Sequence, residues 1–384
     1  MKTKKMCAIL GNVSTFEGLS PLTENRPLDT LPFDCKYRLI DFPLSSIANA
    51  NINSIFMIFN EGETRSVFDH IGGGKEWNLD SLQNSYFVYF YQDLLKQKAQ
   101  GLPYYASVID YLAKSEAEYT VFMGSNMLSS IDLRAVLTYH RAHKNKMTVV
   151  YKKMDPTKLF AEDQILDVDS AGNVAQVKTF AQTFEKEERL NLSMNTYIVQ
   201  TKWLMDQLRI EQKQDGTTTL HGLLAEKVVP IQASAYEYTG YLSNIQDVPS
   251  YYQANLDMLT EKKFNDLMYK GQKIYTKRKN EVPTYYSEAS KVTNSQCATG
   301  CIIEGSLESS LISRRAIIKK GAKIKQAIIM SNAQIEEDAE ISYAILDKYV
   351  TVKPGVRIIG SAQNPVVIPK NQVVENDVIG GLEL

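Results

Sequence analysis

Residues 316–358 read AIIKKGAKIKQAIIMSNAQIEEDAEISYAILDKYVTVKPGVRI. Within this stretch β-branched or Leu side chains recur at Ile318, Ile324, Ile329, Ile335, Ile341, Leu346, Val352 and Ile358. Two residues before each stands a small or modest one: Ala316, Ala322, Ala327, Ala333, Ala339, Ala344, Val350 and Val356. The steps run six, five, six, six, five, six and six, so Ala322, Ala339 and Val356 are equivalent positions seventeen residues apart. A two-residue period would describe an ordinary amphipathic strand, and this beat does not fit one. It is a hexapeptide repeat. Each step makes one flat side of a triangular coil, the large apolar residue fills the prism, and the small one permits the corner. One coil cannot bury its own face, so coils must stack. The repeat predicts a left-handed parallel β-helix over 295–384.

Upstream the texture differs. Residues 261–294 are polar with scattered Tyr and read as a linker. The first 260 residues alternate short apolar runs with helical patterns, the rhythm of an α/β, Rossmann-like domain with a mostly parallel sheet. Strands are expected at Met6–Leu10, Ser54–Ile58, Tyr119–Met123, Met147–Tyr151 and Thr196–Gln200. Helices are expected at Ser45–Asn51, Tyr104–Ser115, Leu133–Lys144 and Ser250–Leu259. A chain of 384 residues suits two such domains.

Composition narrows the function. Lys and Arg number 43 against 44 Asp and Glu, a balance unlike the basic excess of a nucleic-acid binder. The apolar run near the start is too short for a signal peptide, and no run approaches a membrane span, so a cytoplasmic protein is expected. Cys297 and Cys301 lack a second Cys pair or nearby His to complete a zinc site; with Cys7 and Cys35 they read as reduced thiols. His140 and His143, at i,i+3 on a helix with no carboxylate motif beside them, are expected at the surface rather than on a metal. The Tyr-rich stretch 86–91 reads as core or interface packing.

Three segments carry a resemblance: KYRLIDFPLS (Lys36–Ser45), GKEWNLD (Gly74–Asp80) and LSMNTY (Leu192–Tyr197). Together, in order and over nearly the whole chain, they resemble the ADP-glucose pyrophosphorylase (glucose-1-phosphate adenylyltransferase) family. That resemblance implies a reaction in which glucose 1-phosphate attacks the α-phosphorus of ATP and pyrophosphate leaves. Such chemistry needs Mg²⁺ on carboxylates, cations on the phosphates and a backbone cradle.

At the positions matching the family's motifs, these groups are missing. The GGxGxRL loop becomes Gly11–Leu19, with Gly18 in place of the Arg and Glu17 before it. The activating Lys of KPAVPF becomes Leu28, and the GTADA segment falls on unrecognisable residues near Gln100–Tyr104. The metal-binding Asp of GDH becomes Ser125 in Gly124-Ser125-Asn126, and the second metal Asp becomes Asn244. The sugar-phosphate Lys of FxEKP becomes Thr183, while Gly11, Gly124 and Ser193 survive as remnants of a substrate pocket. Removing one preorganised electrostatic group costs ~10²–10³ in rate, so little turnover is expected from this chain alone. No cofactor is expected on it; Mg²⁺ is expected in a catalytic partner.

The pattern is similar to the GlgD-type subunits of Gram-positive bacteria. It implies a pseudoenzyme that regulates or assembles a catalytic adenylyltransferase subunit in a heterotetramer. Lys36 and Arg38 match the family's anionic effector site, with Arg26 close in sequence and Arg314 projecting from the β-helix; a phosphate or phosphorylated sugar is the expected ligand. The competing readings are an active enzyme with a rearranged site using Asp132, Asp247 and Lys186, a stand-alone sugar-phosphate sensor, and a hexapeptide acyltransferase. The last wants a His between coils, and none follows His221. Neither nucleic acid nor membrane is an expected partner.

Overall fold

The computed structural model describes residues 6–11, 13–61, 64–80, 85–183 and 188–380. The described residues form two compact units interleaved along the sequence. The first draws on Met1–Ser14, Ile40–Asn244 and Lys270–Tyr275; the second on Thr15–Leu39, Ile245–Tyr269 and Thr276–Leu384.

The first unit is built on a sheet whose strands are β1 (Met6–Leu10), β2 (Ser54–Phe59), β3 (Ser85–Phe90), β4 (Tyr119–Met123), β5 (Met147–Met154), β6 (Gln164–Val168), β7 (Val174–Thr179), β8 (Leu190–Gln200) and β9 (Ser234–Glu237). The main path runs β7-β6-β8-β4-β1-β2-β3, with β5 joining β8 and β9 joining β5. The pairs β1–β4, β1–β2, β2–β3 and β9–β5 are parallel, while β8 runs antiparallel to its neighbours. Every residue of β1, β2 and β4 is buried, as central strands covered on both faces require.

Helices cover those faces: α1 (Asp41–Asn49), α2 (Thr64–Ile71), α3 (Tyr91–Ala99), α4 (Ala106–Ser115), α5 (Leu133–His143), α6 (Thr201–Lys213) and α7 (Leu220–Lys227). Two cores result. Ala8, Leu10, Ile55 and Val121 face one, with Leu44 and Val136. Ile9, Phe56 and Phe122 face the other, with Tyr105, Leu112 and Leu208. Alternation along each strand sends successive side chains to opposite cores.

The second unit holds a parallel β-helix and the helices α8 (Val248–Leu256) and α9 (Glu261–Met268). The stretch 261–294 expected as a linker contains α9 and the short strands Tyr285–Tyr286 and Lys291–Thr293, which pair in parallel with the next coil. Each of the sixteen repeat residues named above is buried. The rungs align at the seventeen-residue spacing: Ile318 with Ile335 and Val352, Ile324 with Ile341 and Ile358, Ile329 with Leu346. Corners are taken by left-handed backbone at Ser309, Gln326 and Tyr343, at Arg315, Asn332 and Tyr349, and at Gly321, Asp338 and Gly355. The spacing departs from seventeen toward both ends of the stack: Ile303 aligns with Ile318, fifteen residues on, and Ile358 with Val378, twenty on. Leu346 aligns with Ile368 rather than with residue 363, and the five extra residues lie in the exposed turn after Gly360. That turn is closed by Ser361 N–H to Asn364 O (3.1 Å) and Asn364 N–H to Ser361 Oγ (3.0 Å).

The segment 15–39 joins this unit through specific bonds. The Arg26 guanidinium pairs with the buried Asp347 carboxylate. The Tyr251 hydroxyl donates to Pro32 O, and Asp34 N–H donates to Asn255 Oδ1 (3.0 Å).

Candidate functional site

In open α/β sheets ligands bind at the carboxyl ends of the strands. Here those ends present Gly11 after β1, Ile58 near the end of β2, and Phe122 in β4 followed by Gly124-Ser125-Asn126. A cleft runs along Gly11, Ile58, Tyr91, Phe122, Thr218 and His221. The Tyr91 and Thr218 hydroxyls share a hydrogen bond of 2.6 Å, and His221 Nε2 bonds Asn195 Oδ1 at 2.8 Å. Burial pushes the His221 pKa down, so its ring is neutral near pH 7. Among the described residues lining this cleft there is no Lys, Arg, Asp or Glu. A polyphosphate placed there would meet no countercharge among the described residues that line it.

Gly11 has a packing role. A Cβ on it would lie 2.3 Å from Ile58 O, so the glycine admits the close approach of β1 to β2. Ser125 and Asn126 are buried beyond β4. The two-residue strand Ser243–Asn244 pairs with Met127–Leu128 and carries Asn244 to the same place. Asn126 Nδ2 reaches Asn244 Oδ1 at 3.4 Å, and Asn244 Nδ2 donates to Asp163 Oδ2 at 2.7 Å. Phe160 N–H donates to the same carboxylate oxygen at 2.8 Å.

The structure therefore sets Asn244 against Asn126, the residue after Ser125, and adds a buried acid that sequence reasoning missed. Asp163 belongs to no motif and reaches Asn244 only through the fold. Its carboxylate accepts from the Asn244 amide and the Phe160 backbone N–H. A hard dication wants several anionic oxygens; the residues present do not fit Mg²⁺. Among the described residues no group of three or more His, Cys, Asp or Glu side chains is disposed to hold a metal ion.

Thr183, Asp132 and Asp247 have structural partners. Thr183 Oγ1 donates to Thr179 O at 3.1 Å, closing the turn Phe180–Gln182. Ser193 is buried on β8. Lys186 lies outside the described residues. Asp132 caps α5, accepting from Arg134 and Ala135 N–H at 3.0 and 3.3 Å. Asp247 caps α8 in a capping box with Ser250 (2.8 Å). Both acids offered as alternative metal ligands thus hold helix N-termini. His140 corrects an expectation: it is buried, not at the surface. Its Nδ1 bonds Thr148 Oγ1 at 2.8 Å, and burial, then the neighbouring His143, push its pKa down to about 4. All four cysteines are free thiols.

In the second unit Gly18 sits in the turn Glu17–Leu19, where an added Cβ would crowd Asp247 Cβ at 2.9 Å. Leu28 is buried in the turn Leu28–Thr30. The basic candidates converge more than their spacing suggested. Burial, then the Arg38 and Arg26 charges, pushes the Lys348 ammonium down to about 7, with Asp347 opposing. Lys279 is pushed down by burial, Arg314 and Arg38, with Glu281 opposing. Arg38, on the short strand Tyr37–Arg38 paired with Pro32–Phe33, therefore acts electrostatically on both lysines. Arg26 is paired with Asp347, while Arg314 and Arg315 reach Glu281 at 3.4 and 3.2 Å. Lys36 is exposed, its ammonium 5.4 Å from the Tyr37 ring centre. Lys279 and Lys348 are cluster members that the sequence did not single out.

Residues 17–261 match the nucleotidyl transferase family, and residues 281–377 match the GlmU-like C-terminal hexapeptide family. The chain is 29% identical over 375 residues to the glycogen biosynthesis protein GlgD of Bacillus subtilis (strain 168), covering 97% of this chain and 98% of that protein. It is 29% identical over 323 residues to GlgD of Geobacillus stearothermophilus, covering 83% of each. It is 26% identical over 360 residues to glucose-1-phosphate adenylyltransferase of Bacillus cereus (strain ATCC 14579), covering 88% of this chain and 91% of that enzyme. No described helix is long and apolar enough to cross a membrane. A largely parallel α/β sheet, a stacked hexapeptide coil and these matches agree: the chain belongs to the nucleotidyl transferase family and carries a GlmU-like hexapeptide region after it.

Proposed function

We propose that this chain is a regulatory or assembly subunit of glucose-1-phosphate adenylyltransferase in bacterial glycogen synthesis. It makes little or no ADP-glucose itself and acts within a heterotetramer on a catalytic subunit that holds the Mg²⁺. The observation that carries this reading is the Asn126–Asn244–Asp163 network, in which Asn244 stands at a position the resemblance matches to a metal carboxylate and Asn126 follows Ser125, matched to the other. The uncharged cleft beside Gly11 supports it. The basic cluster around Arg38 supports a retained regulatory function, with a phosphate or phosphorylated sugar as the anion it takes. Its effect on the partner need be no more than ~1–3 kcal/mol of coupling, or roughly 5- to 150-fold in affinity.

The test is an ADP-glucose assay on this chain alone, on a catalytic sister subunit from the same genome alone, and on the two co-expressed. Silence from this chain, with altered substrate affinity or effector response in the mixture, is the expected result. Turnover by this chain comparable to the sister's would overturn the proposal and favour an active enzyme with Asp163 in its site. A silent chain that neither binds nor alters the sister would favour a stand-alone sensor.

A further inference from the structure

The sheet of the first unit ends at β3, Ser85–Phe90, whose sequence is SYFVYF. It pairs in parallel with β2, Tyr86 opposite Ile55 through Phe90 opposite Phe59, and has no strand on its other edge among the described residues. Phe87 is 50% exposed, and Tyr86, Val88, Tyr89 and Phe90 are partly exposed. A long apolar edge strand is an invitation to pair, and proteins normally blunt such edges with charge, Pro or a bulge. The opposite end of the same sheet shows such devices: β7 reads VAQVKT and carries a register shift against β6. At β3 none of them is present. The strand has no charge, no Pro and no shift in its register with β2.

We propose that β3 is the pairing edge for a second copy of this chain, two β3 strands running antiparallel across a two-fold axis to make one continuous sheet. The strand's own chemistry selects that occupant. In a two-fold antiparallel pair, residues opposite one another must have the same hydrogen-bonding orientation, so the axis passes through a residue position and not between two. Centring it on Val88 sets Tyr86 against Phe90 and Phe87 against Tyr89, with Val88 against itself. Every position from 86 to 90 then meets an aromatic or β-branched partner, the pairs that stabilise sheets best. With no charge on the strand, self-pairing places no like charges opposite each other. Phe68 on α2 and Leu95 on α3, helices that precede and follow β3 in the chain, are 45% and 40% exposed. This inference is independent of the regulatory reading, since an active enzyme could pair the same way.

The test uses the full-length chain purified alone, followed by sedimentation velocity over a range of micromolar concentrations. A monomer–dimer equilibrium is expected. Phe87→Lys, which sets a charge against Tyr89 of the other copy, should weaken it at least about tenfold. Val88→Cys supplies a second, conservative probe. With glutathione disulfide as oxidant, the two introduced thiols, one from each copy, should join as a covalent dimer, whereas wild type and Leu102→Cys, at a residue 51% exposed away from the strand, should not. A chain that stays monomeric throughout would overturn the proposal. So would a folded Val88→Cys variant that cross-links no better than the control, or a dimer that Phe87→Lys leaves intact. If the chain is monomeric alone and uses β3 only to bind the catalytic sister, the occupant is wrong even where the assembly reading survives.

Discussion

Replacing Arg26 by Met separates an anchor from an effector ligand. The Arg26 and Asp347 side chains are 6% and 2% exposed, so their pair is buried. Removing one partner of a buried pair leaves an uncompensated charge and typically costs ~3–5 kcal/mol. A neighbour modulates that figure here. Lys348 is adjacent in sequence to Asp347, and Arg26 is one of the charges that push its pKa to about 7. Without Arg26 that repulsion is gone, and the lysine can move toward its ordinary value and partly neutralise Asp347. At pH 6, where Lys348 is protonated with or without Arg26, the loss should fall at the low end of the range. At pH 9, where wild-type Lys348 is neutral, it should approach the high end. The assay is urea unfolding of wild type and Arg26→Met at both pH values, with Arg26→Met/Asp347→Leu as the control. Because an apolar pair can replace a buried ion pair at little cost, the double variant should recover at least half of the loss. A single variant within about 0.5 kcal/mol of wild type at both pH values would refute the reasoning, since that is what an exposed pair contributes.

Lys348 makes a separate prediction about pH. Its folded pKa, about 7, lies below the ordinary 10.5, so between these values the unfolded chain binds more protons and stability rises with pH. Lys348→Met should flatten that rise, as a comparison of unfolding at pH 6.5 and pH 9 would reveal. Asn244→Asp should cost about 2–3 kcal/mol, because it replaces a donor to the Asp163 carboxylate with a second carboxylate; Asn244→Asp/Asp163→Asn should recover most of it in thermal unfolding. Asp132→Ala and Asp247→Ala should each lose a helix cap, about 1 kcal/mol, with no change in Mg²⁺ binding by calorimetry. A Mg²⁺ affinity that drops with either would restore the rearranged metal site.

The hexapeptide coil was legible because its signal is periodic and local: the residues that repeat in sequence are the residues that stack. The strands at Met6–Leu10 and Tyr119–Met123 were legible as short apolar runs and match to the residue. Other bounds were not. The strand β8 begins at Leu190, well before the expected Thr196; its first half alternates Leu190, Leu192 and Met194 with polar residues and pairs with β5 and β6. The site was legible only as far as single positions go. Ser125 and Asn244 could be set against carboxylates of the family, yet Asp163 joins Asn244 by way of a tertiary contact. Lys279 and Lys348 enter the basic cluster the same way. His140 looked like one of a surface pair and is buried because α5 turns that side chain toward Thr148.

The turn after Gly360 shows where this coil can be edited. Its rungs transmit register through every buried Ile and Ala, so a residue inserted on a flat side would slide all later side chains out of phase. Five residues already bulge at this corner, and the alignment of Leu346 with Ile368 is preserved across them. The corner thus works as a length buffer. Peptide grafted between Ser361 and Gln363, an epitope or a fluorophore-binding tag, would be displayed outward while the prism keeps its stacking, giving a handle for tracking this chain.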